Sequence, residues 1–426
     1  MKNSLLTGVL VIATLGHVMA QEKLKPAGTI PVMSWGGIAQ SEVSVASYKK
    51  LKDVGVNIDV AFFANADAIA SALDAAGKAG IKLMISSPEL KSEPEKTANR
   101  FKNHPALEGY FLSDEPFKAQ FQELVDWQKR LKSAEGKHYF FVNLLPDINS
   151  NRSKFGTKDY KEYIDTFDQL FPAPYLSFDF YPVVDGGLHP RWFENLEFFA
   201  NKYRTEGRPF WAFALTTSYL SYSDDAVQPS LNDFYQLYTT YKPEKTFVHD
   251  IPTLSSLRLQ IYADLAYGAQ GIEYWSFRGF GSPLDAQGKR TVVFDRLQKV
   301  SNEIQQLSGV FLGAKVVSVA HTGVNIPNET KRLSELPVPI KLLETVGEGA
   351  VVSVLENGNN TFVVIVNRDF KNPMKLIIST DDSVKKVLKD GSLIPATEYA
   401  NATEVEPGDV AIYCYPTAEK KLKIKN

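Results

Sequence analysis

The sequence predicts a (β/α)8 barrel followed by an antiparallel β-sandwich, and three observations carry that prediction. Between Thr29 and Ala314 a short apolar run followed by a longer amphipathic segment recurs eight times. Strand and helix alternating in this way imply parallel strands joined by crossover helices, and eight such units fit a closed barrel. An open doubly wound sheet would want a glycine-rich phosphate turn after an early strand, and no G-x-G-x-x-G is present. After about Gly313 the texture changes to short β-branched runs such as "NTFVVIVNRD" and "DVAIYCYP", separated by "ENGNN", "KDGS" and "EPGD". That alternation of strand and turn signals is the pattern of a sandwich.

The elements come in a regular order. The strand runs are "TIPVMSW", "VNIDVAFF", "IKLMISS", "LEGYFLSDE", "HYFFVNLLP", "YLSFDFYP", "PFWAFALTT" and "GIEYWSF". Side chains alternate along a strand, so one parity faces the barrel and the other the helices. In the second run Val56, Ile58, Val60 and Phe62 are expected to face the helices, with Asn57 inward and Asp59 in a polar layer of the barrel floor. In the fourth, Tyr110 and Leu112 are expected outward, which puts Ser113 and Glu115 inward at the tip. Asn143 is the inward residue of the fifth. Ser177, Asp179 and Tyr181 are inward in the sixth, and Glu273 and Trp275 in the eighth. "DAIASALDAAGKAG" reads as a helix closed by Gly80, and Thr253 as the N-cap of the helix before the eighth strand.

Residues 1–20 read as an export signal: a positive start, an apolar stretch, and Val18-Met19-Ala20 before Gln21. Cleavage there predicts an exported protein, periplasmic or secreted, with no remaining membrane span. A barrel over 21–314 and a sandwich over 315–426 would make up the mature chain. Cys414 is the only cysteine, so no internal disulfide forms, and the fold must rest on its core. A net charge of −2 gives no support to nucleic-acid binding. The six histidines are scattered without metal-ligand spacing, so no metal and no cofactor are expected. Aromatic residues make up 12% of the chain, a content that suits a large core and also a carbohydrate cleft.

Barrel enzymes work at the C-terminal ends of their strands. Carboxylates and aromatic rings around such a mouth suit glycosidic-bond chemistry, in which one acid protonates the leaving oxygen and another carboxylate attacks or activates water. Two readings stand for each acid. Asp114 reads as a cap or loop acceptor as readily as a substrate contact, and Glu273 as a buried acid paired with Arg258 or Arg278. Trp35 and Trp275 serve either as sugar platforms or as barrel filling.

Three stretches resemble the clan of (β/α)8 glycoside hydrolases that includes the family 42 β-galactosidases and many uncharacterised bacterial relatives. "GYFLSDEP" is similar to the clan's fourth-strand signature, "LAYGAQGIEYWSFR" to its approach to the eighth strand, and "FVNLLP" with "SFDFYP" to its fifth and sixth strands. The resemblance implies a carbohydrate substrate and Glu115 as acid/base. Substrate contacts at the barrel mouth are expected from Trp35, Asp114, Asn143, Tyr181, Trp275 and Arg278. Two departures stand out. Asp114 takes the place of the clan's usual Asn, and the seventh strand, "PFWAFALTTS", lacks the clan's nucleophilic Glu. The expected second carboxylate is Asp179, near the rim and two strands from Glu115, with Glu273 as a deeper orienting acid. A non-catalytic carbohydrate-binding protein on a degenerate hydrolase barrel is the competing expectation.

Overall fold

The structure, a computed structural model, describes residues 22–222, 246–396 and 402–417. The expected export signal lies outside the described residues. Eight parallel strands close into a barrel in which each strand pairs with its neighbours in sequence, the last with the first. They are β1 (Val32–Trp35), β2 (Ile58–Phe62), β3 (Lys82–Ser86), β4 (Leu107–Asp114), β5 (Tyr139–Leu144), β6 (Leu176–Phe178), β7 (Phe210–Leu215) and β8 (Gly271–Trp275). Helices begin and end where local chemistry dictates. Asn65 caps the helix Ala66–Ala79, which stops at Gly80 in the left-handed region (φ 75°). Thr253 caps Leu254–Tyr267 through the Ser256 amide.

The barrel interior is filled by large apolar side chains. Met33, Ile58, Val60, Met84, Phe111, Phe141, Tyr175 and Trp211 form one buried cluster, with Trp35 and Tyr139 packed against it. Trp211 stacks on Tyr175 with ring centroids 3.9 Å apart. This is possible because residue 271 is glycine: a Cβ there would meet the indole at 2.5 Å. The opposite parity, including Ala61, Tyr110, Val142, Phe178, Ala212 and Tyr274, joins the helices in the main core.

This arrangement reverses the expectation for β2. Ile58 and Val60 point into the barrel, and Asp59 lies on the helix side. The reason is that both faces of a barrel strand are buried, so apolar character alone does not tell inside from outside. Asp59 is tolerated there because β1 and the turn after it supply donors. Its Oδ1 accepts from Ser34 Oγ at 2.7 Å and Gly37 N at 2.8 Å.

The first strand after the barrel begins at Lys315. Six strands (Lys315–His321, Ala350–Asn357, Asn360–Asn367, Val410–Pro416, Lys385–Val387 and Leu393–Pro395) form one antiparallel sheet, and Ile340–Val346, Met374–Thr380 and Thr403–Val405 form a second. Ile340–Val346 was not among the expected strands, because its burial is interrupted and its sequence lacks a clean alternation. The larger sheet is buried on both faces. Ala350, Val352, Val363 and Ile365 face the smaller sheet, whereas Val351, Phe362, Val364 and Val366 join the barrel's core. A charged cluster reinforces this junction. Arg258 and Lys389 both pair with Glu303 and Asp409, and Tyr262 donates to Glu303 at 2.9 Å.

Removing the sandwich would therefore bare apolar helix surface and deprive the Arg258–Glu303 pair of Lys389 and Asp409 at the junction. A chain ending at Ala314 is expected to bind hydrophobic dyes and to aggregate. A truncated chain that stays soluble, monomeric and equally heat-stable would show that the two units fold independently.

Asp59 yields a second expectation. Burial pushes its carboxyl up to about 7, against the hydrogen bonds that favour its charge. A folded pKa above the unfolded one means that its stabilising contribution is complete below the ordinary Asp value and is lost as pH rises through about 7. Asp59→Asn should flatten this dependence. Melting temperatures at about pH 5 and about pH 8 are expected to diverge less in the variant than in the wild type; equal divergence would rule this role out.

Candidate active site

The site starts from an irregularity in β4. Phe111 pairs with Phe141 and Ser113 with Val142, so the register slips by one residue between them. Such a bulge sets two residues of one strand against one of its neighbour and re-aims the side chains beyond it. Ser113 consequently matches the outward Val142, and Asp114 matches the inward Asn143. This corrects the expectation of Ser113 facing inward, since simple alternation cannot survive the bulge. Asp114 points to the barrel axis, and Glu115 comes next, with a backbone N–H bonded to the Asn143 carbonyl at 2.9 Å. Glu115 also carries a φ of 46°. A non-glycine residue in the left-handed region stores roughly 1–3 kcal/mol of strain, and such strain concentrates at functional positions.

From Asn143 a hydrogen-bonded set spreads across the barrel. Its Nδ2 donates to Asp114 Oδ1 at 3.0 Å and to Asp179 Oδ1 at 3.1 Å. Two oxygens so close to one nitrogen lie no more than about 6 Å apart. Ser177 Oγ lies 3.0 Å from both Asn143 Oδ1 and Glu273 Oε2. Asp114, Asn143, Asp179 and Glu273 are thus brought together, as is Ser177, which was expected inward but not as a member of the site.

Electrostatics separate the acids. Burial, and then the charges of Glu115 and Asp114, push the Asp179 carboxyl well above its ordinary range. The Asp114 carboxyl is also raised by its surroundings, although the residue keeps an exposed side at the mouth and accepts from Asn143. Glu273 is 0% exposed, and burial raises it strongly. The charge of Glu115 is felt by Asp179 and Tyr181 at the end of β6 and by Tyr160 and Tyr163 on the helix Tyr160–Leu170.

Aromatic side chains flank the acids. Tyr181 stacks on Trp275 at 5.2 Å, and Tyr219 meets Trp275 edge-on at 5.0 Å. Tyr219 and His249 belong to a two-stranded antiparallel sheet, Tyr219–Tyr222 with Thr246–His249, that follows β7. Neither was singled out in the sequence, because no local pattern shows that a distant strand pair lies against Trp275. Trp35 lies deeper among Phe62, Phe111, Phe141 and Phe213, half-buried at the top of the barrel filling. Arg278 is engaged elsewhere: it pairs with Glu42 and donates to the Ala286 carbonyl, tying the loop after β8 to the one after β1. At the tip of β7, alternation from Trp211 puts Leu215 on the barrel side. The hydroxyls of Thr216 and Thr217 donate to the Ser276 and Phe280 carbonyls. Among the described residues no group of three or more His, Cys, Asp or Glu is placed to hold a metal ion.

With this geometry in view, comparison with known proteins speaks to the fold. Neither a protein-family model nor a curated protein matches the chain in sequence. Solved structures do match in shape. The chain is similar to a β-galactosidase from the psychrophilic Marinomonas ef1, with a TM-score of 0.50 and 10% identity over 91% of this chain and 100% of that one. It is also similar to a glycoside hydrolase family 5 protein from Bacteroides vulgatus ATCC 8482, with a TM-score of 0.51 and 11% identity over 94% of each chain. The fold is one that glycoside hydrolases use. At these identities the likeness concerns fold alone.

The shared donor on Asn143 is open to test. Its hydrogen bond favours the charged form of Asp179, so Asn143→Leu should raise the Asp179 pKa further. Carbon-13 titration of the Asp179 carboxyl reads this directly, and an unchanged or lowered value would mean that the amide does not support its charge.

Proposed function

We propose that the protein is an exported glycoside hydrolase that cleaves an oligo- or polysaccharide at the barrel mouth. Glu115 acts as the proton donor and Asp179 as the second carboxylate. The observation that carries this reading is the convergence of carboxyl groups from β4 and from the end of β6 on one amide, beside aromatic rings. Like charges at such range oppose one another's ionisation, which favours keeping a proton within the group. Glycoside hydrolysis needs that division of labour: one acid still carrying its proton, and one carboxylate free to attack the anomeric carbon or to activate water.

Glu115 is the donor because it is half-exposed at the rim, where a leaving oxygen arrives, and because its strained backbone holds it there. Asp179 is the partner because the Asn143 amide holds it beside Asp114, next to Glu115 in the chain, and donates to its charged form. The three carboxyls differ in access: Asp114 is open, Asp179 is half-buried and Glu273 is sealed. Asp114 takes the role of a substrate-hydroxyl contact, and Tyr181 with Trp275 offers ring surface to a sugar.

One observation favours the competing reading. Leu215, not an acid, stands on the barrel side at the tip of β7, as it would in a carbohydrate-binding relative that no longer hydrolyses. A panel of aryl glycosides and natural glycans separates the two readings. Glu115→Gln is expected to keep the fold and lose roughly 10²–10⁴-fold in rate on substrates with poor leaving groups, and less on activated aryl glycosides. Equal rates for variant and wild type on a natural glycan would remove Glu115 from the mechanism. Glycan binding without turnover by the wild type would establish the binding protein.

A further inference from the structure

The hydrogen bonds that run from the mouth down to Glu273 can be assigned by counting hydrogens. Asn143 Nδ2 has two, and Asp114 and Asp179 take both. Asn143 Oδ1 then faces Ser177 Oγ at 3.0 Å. Ser177 carries a single hydroxyl hydrogen and has two oxygen neighbours at that distance, Asn143 Oδ1 and Glu273 Oε2. An amide oxygen only accepts, so the hydroxyl hydrogen goes to Asn143. The remaining contact, between Ser177 and Glu273, is a hydrogen bond only when Glu273 supplies the hydrogen. Reversing the whole chain would require Asn143 to turn over, with hydrogens on both Asp114 and Asp179 aimed at its oxygen. It would also leave Glu273 as a fully enclosed carboxylate.

We propose that Glu273 is a neutral carboxylic acid that donates to Ser177 and thereby holds the Asn143 amide with its nitrogen toward Asp114 and Asp179. It is a positioning residue, two side chains removed from the mouth, and takes no part as a charge. Its surroundings agree. It has no exposure, and its Oε1 has no hydrogen-bond partner among the described residues. Among the described residues, the polar and titratable groups that face it are Ser177 on β6, Tyr175 just before that strand, and Asp114 on β4, none of them cationic. The two arginines expected as partners are committed elsewhere, Arg258 to Glu303 and Asp409, and Arg278 to Glu42. Burial, and secondarily the charge of Asp114, favours the protonated form.

The protonation state stands independently of the hydrolase reading; only the consequence for turnover rests on it. Infrared difference spectroscopy of wild type against Glu273→Gln at neutral pH reads the state directly. The expected difference is the loss of one carboxylic-acid C=O band with no loss of carboxylate bands. Loss of carboxylate bands instead would overturn the proposal. Ser177→Ala provides a second reading with Glu273 left in place: the acid band should shift as it loses its acceptor, and an unshifted band would equally overturn it.

In turnover, Glu273→Leu is expected to cost about 100-fold by letting Asn143 and both aspartates drift. Glu273→Gln, whose amide N–H can still donate to Ser177, should recover most of that loss. A Gln variant as impaired as the Leu variant would show that the carboxyl itself takes part, and the positioning role would fall. If the wild type turns over no glycan, the infrared arms still decide the proposal while the hydrolase reading alone fails.

Discussion

An asparagine amide offers two hydrogens, and at the mouth of this barrel two aspartates use both of them. Much of the site depends on that constraint. It draws together acids from β4 and from the end of β6 that would otherwise repel, and it fixes which way the amide faces. The amide's carbonyl must then find a donor below, which Ser177 provides. The arrangement needs a bulge in β4, because without the extra residue Ser113 would meet the amide and Asp114 would turn to the helices.

The rest of the molecule keeps that set in place. Below it, the barrel is packed with aromatic and long aliphatic side chains, so the polar layer rests on a solid floor in the manner of crystal-like protein interiors. Around it, the helices bury the other face of each strand. On one side the larger sheet of the C-terminal region shares the barrel's core, and Lys389 and Asp409 beside it pair with Glu303 and Arg258 of the barrel helices. A buried ion cluster of this kind adds little net stability over apolar packing, but breaking it by removing one partner is costly, so it fixes how the two units meet.

Much of the fold was legible because its signals are local. Strand–helix alternation, helix caps such as Thr253, and turn-separated β-branched runs are written in neighbouring residues. Parity was legible where one face of a strand is polar, as in β6, where Ser177 and Asp179 alternate with Leu176 and Phe178. It misled in β2, where both faces are buried and Asp59 finds its donors in β1 and the turn after it. It failed in β4 past Leu112, since nothing in "YFLSDE" announces a bulge. The strand pair that brings Tyr219 and His249 beside Trp275 and Tyr181 left no local trace at all.

The sequence by itself determined the barrel, the sandwich after it, and the presence of acids at the ends of the fourth, sixth and eighth strand runs. Those come from periodicity and from the rule that a barrel's strand ends form one face. Only the tertiary structure decided how the acids divide: Asp114 turned inward, Asp179 half-buried beside the charge of Glu115, and Glu273 sealed beneath Ser177. That division rests on one register slip and on hydrogen bonds between residues about 30 to 100 positions apart. No pattern within a single strand encodes such pairings, because a donor's partner is set by where the neighbouring strands place it.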